Sequence, residues 1–296
     1  MASVDNKRDD PECTPVPSID TNASRLLYLV QVSRPIVWPV LPLVYALGVH
    51  AAGAEWDAVA IAQLVTLTFP MNLIGCGLND IYDYESDRRS VRRRAVWGAV
   101  VSSDERPLVF HACVAMIPIM ILGACLTRNR DNVVATISLV VVAWTYSVPP
   151  YRLKERPPLD SLANGLGYFL FPLMMGYSLN ADTRDMPLRY YLLAMCVAGI
   201  HALATAADYD ADLAAGHRTL AVVFGKRIAA VLASAAFFAA WWFGEFSSVP
   251  VRAYLVAGGL AALAAAIVPR NAVIVVACGT IFAGFLVAGC AHLIMY

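Results

Sequence analysis

Charge is scarce in this chain. Only 15% of its residues are Asp, Glu, Lys or Arg, against about 25% in ordinary soluble proteins. The 22 acids and 22 bases cancel to a net charge of zero, and the lack of a basic excess argues against nucleic acid as a partner. A cysteine framework is missing as well. Seven cysteines contain no C-x-x-C pair and six of them lie in apolar stretches, so they read as buried thiols rather than disulfides or zinc ligands. The first twenty residues lack the apolar core of a cleavable signal. Polar and proline-containing, they are expected to belong to a disordered tail, residues 1–23, ahead of a single domain over 24–296.

What the chain has is hydrocarbon. Hydrophobic residues make up 59% of it and the mean hydropathy is +0.61. Apolar runs at 35–53, 58–77, 108–126, 133–148, 160–179, 191–207, 228–244, 254–268 and 272–294 reach or approach the roughly 17–25 residues that cross a bilayer. They lack the alternation of a β-barrel, so helices are the expected spans. The fold class read from this pattern is all-α, a multi-pass transmembrane bundle of about nine helices in the lipid bilayer. An eight-span count is the alternative, because the last two runs are separated only by residues 269–271. With nine spans, 17 of the 22 Lys and Arg fall on the side of the N-terminus. The other side holds Arg128, Arg130, Arg184, Arg189 and Arg252. This bias is the positive-inside signature and predicts a cytoplasmic N-terminus.

Acids gather at two places on that same side. "LNDIYDYESDRRS" at 78–90 follows the second run, and "DYDADLAAGHRTL" at 208–220 follows the sixth. Asn79, Asp83 and Asp87 are spaced i, i+4, i+8, and Asp208 and Asp212 are spaced i, i+4. If both helices continue past the apolar run, each set lies on one helical face. One such stretch reads as a solvated helix end; two, equally spaced and on one side, favour a metal. Carboxylate and amide oxygens suit Mg²⁺, which commonly bridges to substrate phosphates. "YSVPPYRLKERP" at 146–157 and the arginines of 88–94 supply positive charge beside the acids. Acids with metal plus Arg and Lys can clamp a diphosphate. For Arg152 and Lys154 that role and simple anchoring at the lipid surface stand as alternatives.

These motifs resemble the UbiA superfamily of intramembrane prenyl-diphosphate enzymes. Its N-D-x-x-D-x-x-x-D motif is matched by Asn79, Asp80, Asp83 and Asp87. Its D-x-x-x-D motif, with a glycine four residues on, is matched by Asp208, Asp212 and Gly216. Its Y-S-x-P-P-x-R-L-K loop is matched by Tyr146, Ser147, Pro149, Pro150, Arg152, Leu153 and Lys154. Ser33, Arg34 and Pro35 resemble the start of the family's first span. The resemblance implies an all-helical bundle around a lipid-facing cavity, with an isoprenyl diphosphate bound through Mg²⁺ at its mouth. It implies Asn79, Asp83, Asp87, Asp208 and Asp212 as metal shell, the four acids among them as catalytic, and Asn79, Tyr146, Arg152 and Lys154 as substrate contacts. Two departures stand out. Thr205 occupies a position where many relatives have a further Asp, and the N-R-P-L segment of aromatic prenyltransferases is absent after the first motif. Both make the chain resemble the branch with lycopene elongases and fungal membrane-bound terpene cyclases.

The chemistry implied is ionisation of an allylic diphosphate, with water kept from the cation by an apolar cavity. Aromatic faces could stabilise that cation, and Trp38, Tyr45, Phe69, Trp144, Tyr168, Phe169 and Phe171 are candidates by position. Taken singly, each is expected to be ordinary packing or an interfacial belt residue. His201, two turns before Asp208, is a polar residue inside a span; a helix–helix hydrogen bond is its expected role. A transporter is disfavoured because the acids sit at span ends, not at mid-membrane. The expected activity is cyclisation of farnesyl diphosphate to a terpene hydrocarbon with loss of diphosphate. The alternative is transfer of the prenyl group to an aromatic or isoprenoid acceptor.

Overall fold

In hydrocarbon the backbone must satisfy its own polar groups, and the apolar runs do so as helices. The computed structural model describes residues 22–83 and 101–296 and, among them, contains helices and no strand. In chain order the helices are α1 (Asn22–Val32), α2 (Val40–Ala51), α3 (Ala58–Thr66), α4 (Phe69–Tyr82), α5 (Arg106–Leu126), α6 (Arg130–Ser147), α7 (Leu159–Gly165), α8 (Phe171–Tyr177), α9 (Leu188–Ala207), α10 (Tyr209–Ala215), α11 (Leu220–Phe224), α12 (Lys226–Phe243), α13 (Val249–Ile267) and α14 (Asn271–Met295). One π-helical turn, Leu166–Leu170, joins α7 to α8. Asn22 and Ala23, assigned to the tail by sequence, already belong to α1.

Six helical stretches are long and apolar enough to cross a membrane: Ala58–Tyr82, α5, α9, α12, α13 and α14. A seventh is the pair formed by α1 and the segment Pro35–Ala51, bent by 48°. The protein is therefore a multi-pass membrane protein. The fourth and fifth apolar runs fall on α6 and on the α7–π–α8 series, which is broken into three short pieces, so a count of nine is not reached by this measure. The last two runs are separate helices, α13 and α14, with the break at Val268–Arg270.

Side chains pack into three apolar clusters. The first joins α1 to α6, through Tyr45, Leu73, Ile74 and Leu139. The second joins α9 to α14, through Leu203, Ala233, Phe237 and Leu255. A smaller third cluster, with Val44, Phe169 and Leu173, bridges the two. Helix association in lipid relies on close contact between small residues, and α2 against α8 shows it. A Cβ added to Gly48 would stand 2.2 Å from the Leu173 carbonyl oxygen, and one added to Gly176 would stand 2.1 Å from that of Tyr45. Buried amides supply polar adhesion. Gln63 and Asn132 exchange hydrogen bonds at 2.5 and 3.1 Å, and Asn132 also donates to the Met175 carbonyl at 2.7 Å.

The six cysteines in the described residues form no disulfide with one another. Cys76, Cys113 and Cys196 are buried as expected, but Cys125 and Cys290 lie exposed on the outer surface of the bundle. In a membrane an apolar thiol can face lipid without the penalty that water would impose.

Candidate active site

One cavity of about 400 Å³ opens at the end of the bundle where α4 and α9 stop. Asn79 lies in the last turn of α4 and Asp83 is its C-terminal cap, so both reach the mouth. Helix α4 ends at Tyr82, and the face expected to continue from Asp83 to Asp87 runs into residues outside those described. Asp208 ends α9 and starts α10. The second motif therefore bends at its first acid instead of continuing as one helix. The i, i+4 relation survives the bend, since the Asp212 amide donates to the Asp208 carbonyl at 2.9 Å, and both acids line the cavity. Gly216 then closes α10 with φ of +77°, the left-handed conformation that glycine adopts without strain.

Cationic side chains face these acids. Lys154 is buried and its ammonium pairs with the Asp83 carboxylate. Burial pulls the Lys154 pKa down while the Asp83 charge pulls it up, and the net direction is down. Arg152 does not line the cavity; it pairs with Glu155 and stands 3.9 Å from Asp83. Arg34 pairs with Asp80, which is fully buried beneath the mouth. Both arginines have left-handed backbones, φ of +54° and +40°, a conformation that costs about 1–3 kcal/mol in a non-glycine residue and persists where surrounding contacts hold it. Tyr146 lines the cavity with its hydroxyl 2.9 Å from Nε2 of His201, whose Nδ1 lies 3.2 Å from the Ser161 hydroxyl. His201 thus has the helix–helix role expected for it.

Sequence reading missed several members of this wall. His217 lies 2.9 Å from Glu155, and Thr219 donates to Asp212 at 3.0 Å. Asp160 accepts the Leu220 amide at 2.7 Å and so fixes the segment that follows α10. The signal was present, because His217 and Thr219 stand in the quoted acidic stretch. Of the aromatic candidates only Tyr168 lines the cavity. Tyr45 and Phe169 are core residues, Trp38 packs edge-on against Phe69, and Trp144 against Phe110. Deeper in, the lining turns apolar, with Leu41, Met71, Leu139, Val142 and Ala143.

Asp212 reports the field at the mouth. Burial lifts its pKa, the Asp208 and Asp83 charges add to the rise against the Thr219 hydrogen bond and His217, and the result is about 6. Among the described residues no three His, Cys, Asp or Glu converge closely enough to hold a metal by themselves. The donor set still fits a hard cation. It is all oxygen, it carries unbalanced negative charge, and Lys154 already places one positive charge on Asp83.

A family model, the UbiA prenyltransferase family, matches residues 36–276. The chain belongs to the UbiA prenyltransferase family. A lycopene elongase/hydratase of Corynebacterium glutamicum is 29% identical over 198 residues, covering 66% of this chain and 68% of that protein. A 4-hydroxybenzoate octaprenyltransferase of Polaromonas is 28% identical over 252 residues, covering 81% and 83%. Among solved structures, a UbiA homologue of Archaeoglobus fulgidus bound to GPP and Mg²⁺ superposes with a TM-score of 0.65 at 18% identity, covering 89% of this chain and 98% of its own. At that identity the likeness shows the UbiA fold. Among the described residues the UbiA motif residues Asn79, Asp83, Asp208 and Asp212 line one cavity with Tyr146 and Lys154.

Proposed function

We propose that this UbiA protein ionises an isoprenyl diphosphate with Mg²⁺ at the acidic mouth and transfers the prenyl group to an apolar isoprenoid acceptor in the cavity. The observation that carries this is a single cavity with oxygen donors and a lysine at its mouth and hydrocarbon at its floor. Asn79, Asp83, Asp208 and Asp212 would hold the metal, with Asp87 completing the set. The metal would neutralise the diphosphate and stabilise charge on the leaving oxygen. Lys154, held by Asp83, presents a fixed cation to the same oxygens. Arg152, steered by Glu155, adds a second at the rim. The allylic C–O bond breaks with its electron pair leaving on diphosphate. The apolar floor keeps water from the cation, which is captured by a C=C bond of the acceptor; a proton is then lost to diphosphate at the mouth.

The acceptor's character follows from the wall. Every basic side chain lining the cavity already has a partner: Arg34 with Asp80, Lys154 with Asp83, His217 with Glu155, His201 with Tyr146 and Ser161. Asn72 donates to the Leu67 and Thr68 carbonyls. A hydroxybenzoate carboxylate would have to compete for these cations with their present partners and, at Lys154, with the diphosphate. A hydrocarbon acceptor needs none, and relatives named for elongating lycopene support that class. The same wall favours a second reading, in which no acceptor binds and the cation of farnesyl diphosphate closes on its own chain. Thr205 fits either case; its hydroxyl donates to the Ala202 carbonyl and accepts from the Ala221 amide.

The test is diphosphate release from farnesyl diphosphate in proteoliposomes with Mg²⁺, with and without a polyene acceptor. Release that requires the acceptor is expected. Release without it, with a cyclic hydrocarbon in the extract, replaces transfer by cyclisation. No release from C10, C15 or C20 diphosphates under either condition overturns both.

A further inference from the structure

A second cavity of about 390 Å³ lies at the opposite ends of α2 and α9 from the first, closed by the α12–α13 connection and the end of α14. Tyr168 and Phe169, neighbours on the π turn, divide the two: Tyr168 lines the first cavity and Phe169 the second. Three polar atoms of the second wall are buried without a hydrogen-bond partner: Ser248 Oγ, the Tyr254 hydroxyl and Nδ1 of His292. Ser248 is 2% exposed and Tyr254 9%. Buried hydroxyls left unpaired cost about 1–3 kcal/mol each, so these groups point to a ligand that supplies oxygens. Arg189 and Glu245 line the same cavity and make no ion pair with each other or with any other described residue. Arg189 instead lies 5.3 Å from the Tyr190 ring centroid. The remaining lining includes Leu47, Leu173, Val251 and Phe285, an apolar slot beside the polar groups.

We propose that this cavity binds one membrane phospholipid with a zwitterionic headgroup. Arg189 and the Ser248 and Tyr254 hydroxyls take the phosphate, Glu245 takes the ammonium, and one acyl chain enters the slot toward Phe285. A cation and an acid that share a cavity unpaired match the two charges of such a headgroup, whereas a purely anionic lipid would face Glu245 without compensation. The ends of α2 and α9 place the cavity where a leaflet's headgroups lie.

The test is native mass spectrometry of the full chain, delipidated and then titrated with short-chain phosphatidylethanolamine, short-chain phosphatidylglycerol or inorganic phosphate. Wild type is expected to retain one phosphatidylethanolamine. Arg189→Gln and Glu245→Gln should each weaken retention at least about tenfold, and Glu245→Gln should narrow the preference over phosphatidylglycerol. Ser248→Ala, a small change remote from the acids, should weaken it with Mg²⁺-dependent diphosphate release unchanged. Equal retention by wild type and variants, a preference for phosphatidylglycerol in wild type, or saturation by inorganic phosphate alone each overturns the proposal.

Discussion

Asp212 is a carboxylate at the mouth held above the ordinary carboxylate range. With its pKa near 6 in the metal-free protein, it binds a proton more readily folded than unfolded. Above pH 6 its ionised form therefore costs stability, and that cost disappears as pH falls through 6 toward the ordinary carboxylate range. If Asp212 holds Mg²⁺ as proposed, proton and metal compete for the same oxygen, so half-saturating Mg²⁺ should rise steeply as pH falls below 6. Asp212→Asn should flatten that dependence while raising the Mg²⁺ requirement at pH 7.5; a parallel pH profile in the variant would remove Asp212 from the metal shell. Lys154→Ala should raise KM for the diphosphate by one to two orders of magnitude, for about 1.5–3 kcal/mol of charge-assisted contact. A wild-type KM would return Lys154 to membrane anchoring. The acids and Lys154 were legible because their chemistry is rare in an apolar chain and their spacing repeats. Arg34 and the pairing of His217 with Glu155 were not, because each contact spans a long stretch of sequence; Thr219 stood in the quoted acidic stretch, but a lone hydroxyl there carries no sign of its bond to Asp212. No local pattern announces the pairing of Arg34 with Asp80 across 46 positions.

At the scale of elements, the long apolar helices were legible from length alone, while the breaks were not. The bend at Asp208 and the π turn at Leu166–Leu170 leave the hydropathy profile unchanged, because backbone hydrogen-bond shifts do not alter composition. The polar pair Gln63 and Asn132 also passed unread, since Gln63 is a single amide amid apolar residues and Asn132 falls just ahead of the run at 133–148. The contact between α2 and α8 offers a sharp test. Gly176→Leu would drive a side chain into the Tyr45 carbonyl, where even a Cβ has no room. The loss should exceed the roughly 1–3 kcal/mol of ordinary overpacking, read as a lowered Tm in detergent. Gly75→Leu, at a position where a Cβ meets nothing within 4 Å, should be tolerated by the fold. Equal Tm for the two variants would show that α2 and α8 can part without cost.

For the molecule as a whole, the charge bias predicts a cytoplasmic N-terminus, and nine traverses would put Tyr296 on the other side. A reporter fused at Tyr296 should read out as non-cytoplasmic; a cytoplasmic signal favours eight. Two large packing units meet in this bundle, one built on α1 to α6 and the other on α9 to α14. The mouth draws Asn79 and Asp83 from the first and Asp208 and Asp212 from the second. Any ligand gripped by both sets of acids is therefore a further crosslink between halves joined by the smaller bridging cluster and by the Tyr146–His201 hydrogen bond. Its binding free energy adds to the cohesion of the pair, not of either half alone. Heated without substrate, the two halves should lose structure in separate steps. Loaded with Mg²⁺ and a non-hydrolysable diphosphate analogue, they should melt as one, so that the reaction cycle itself alternates between a joined and a loosened bundle.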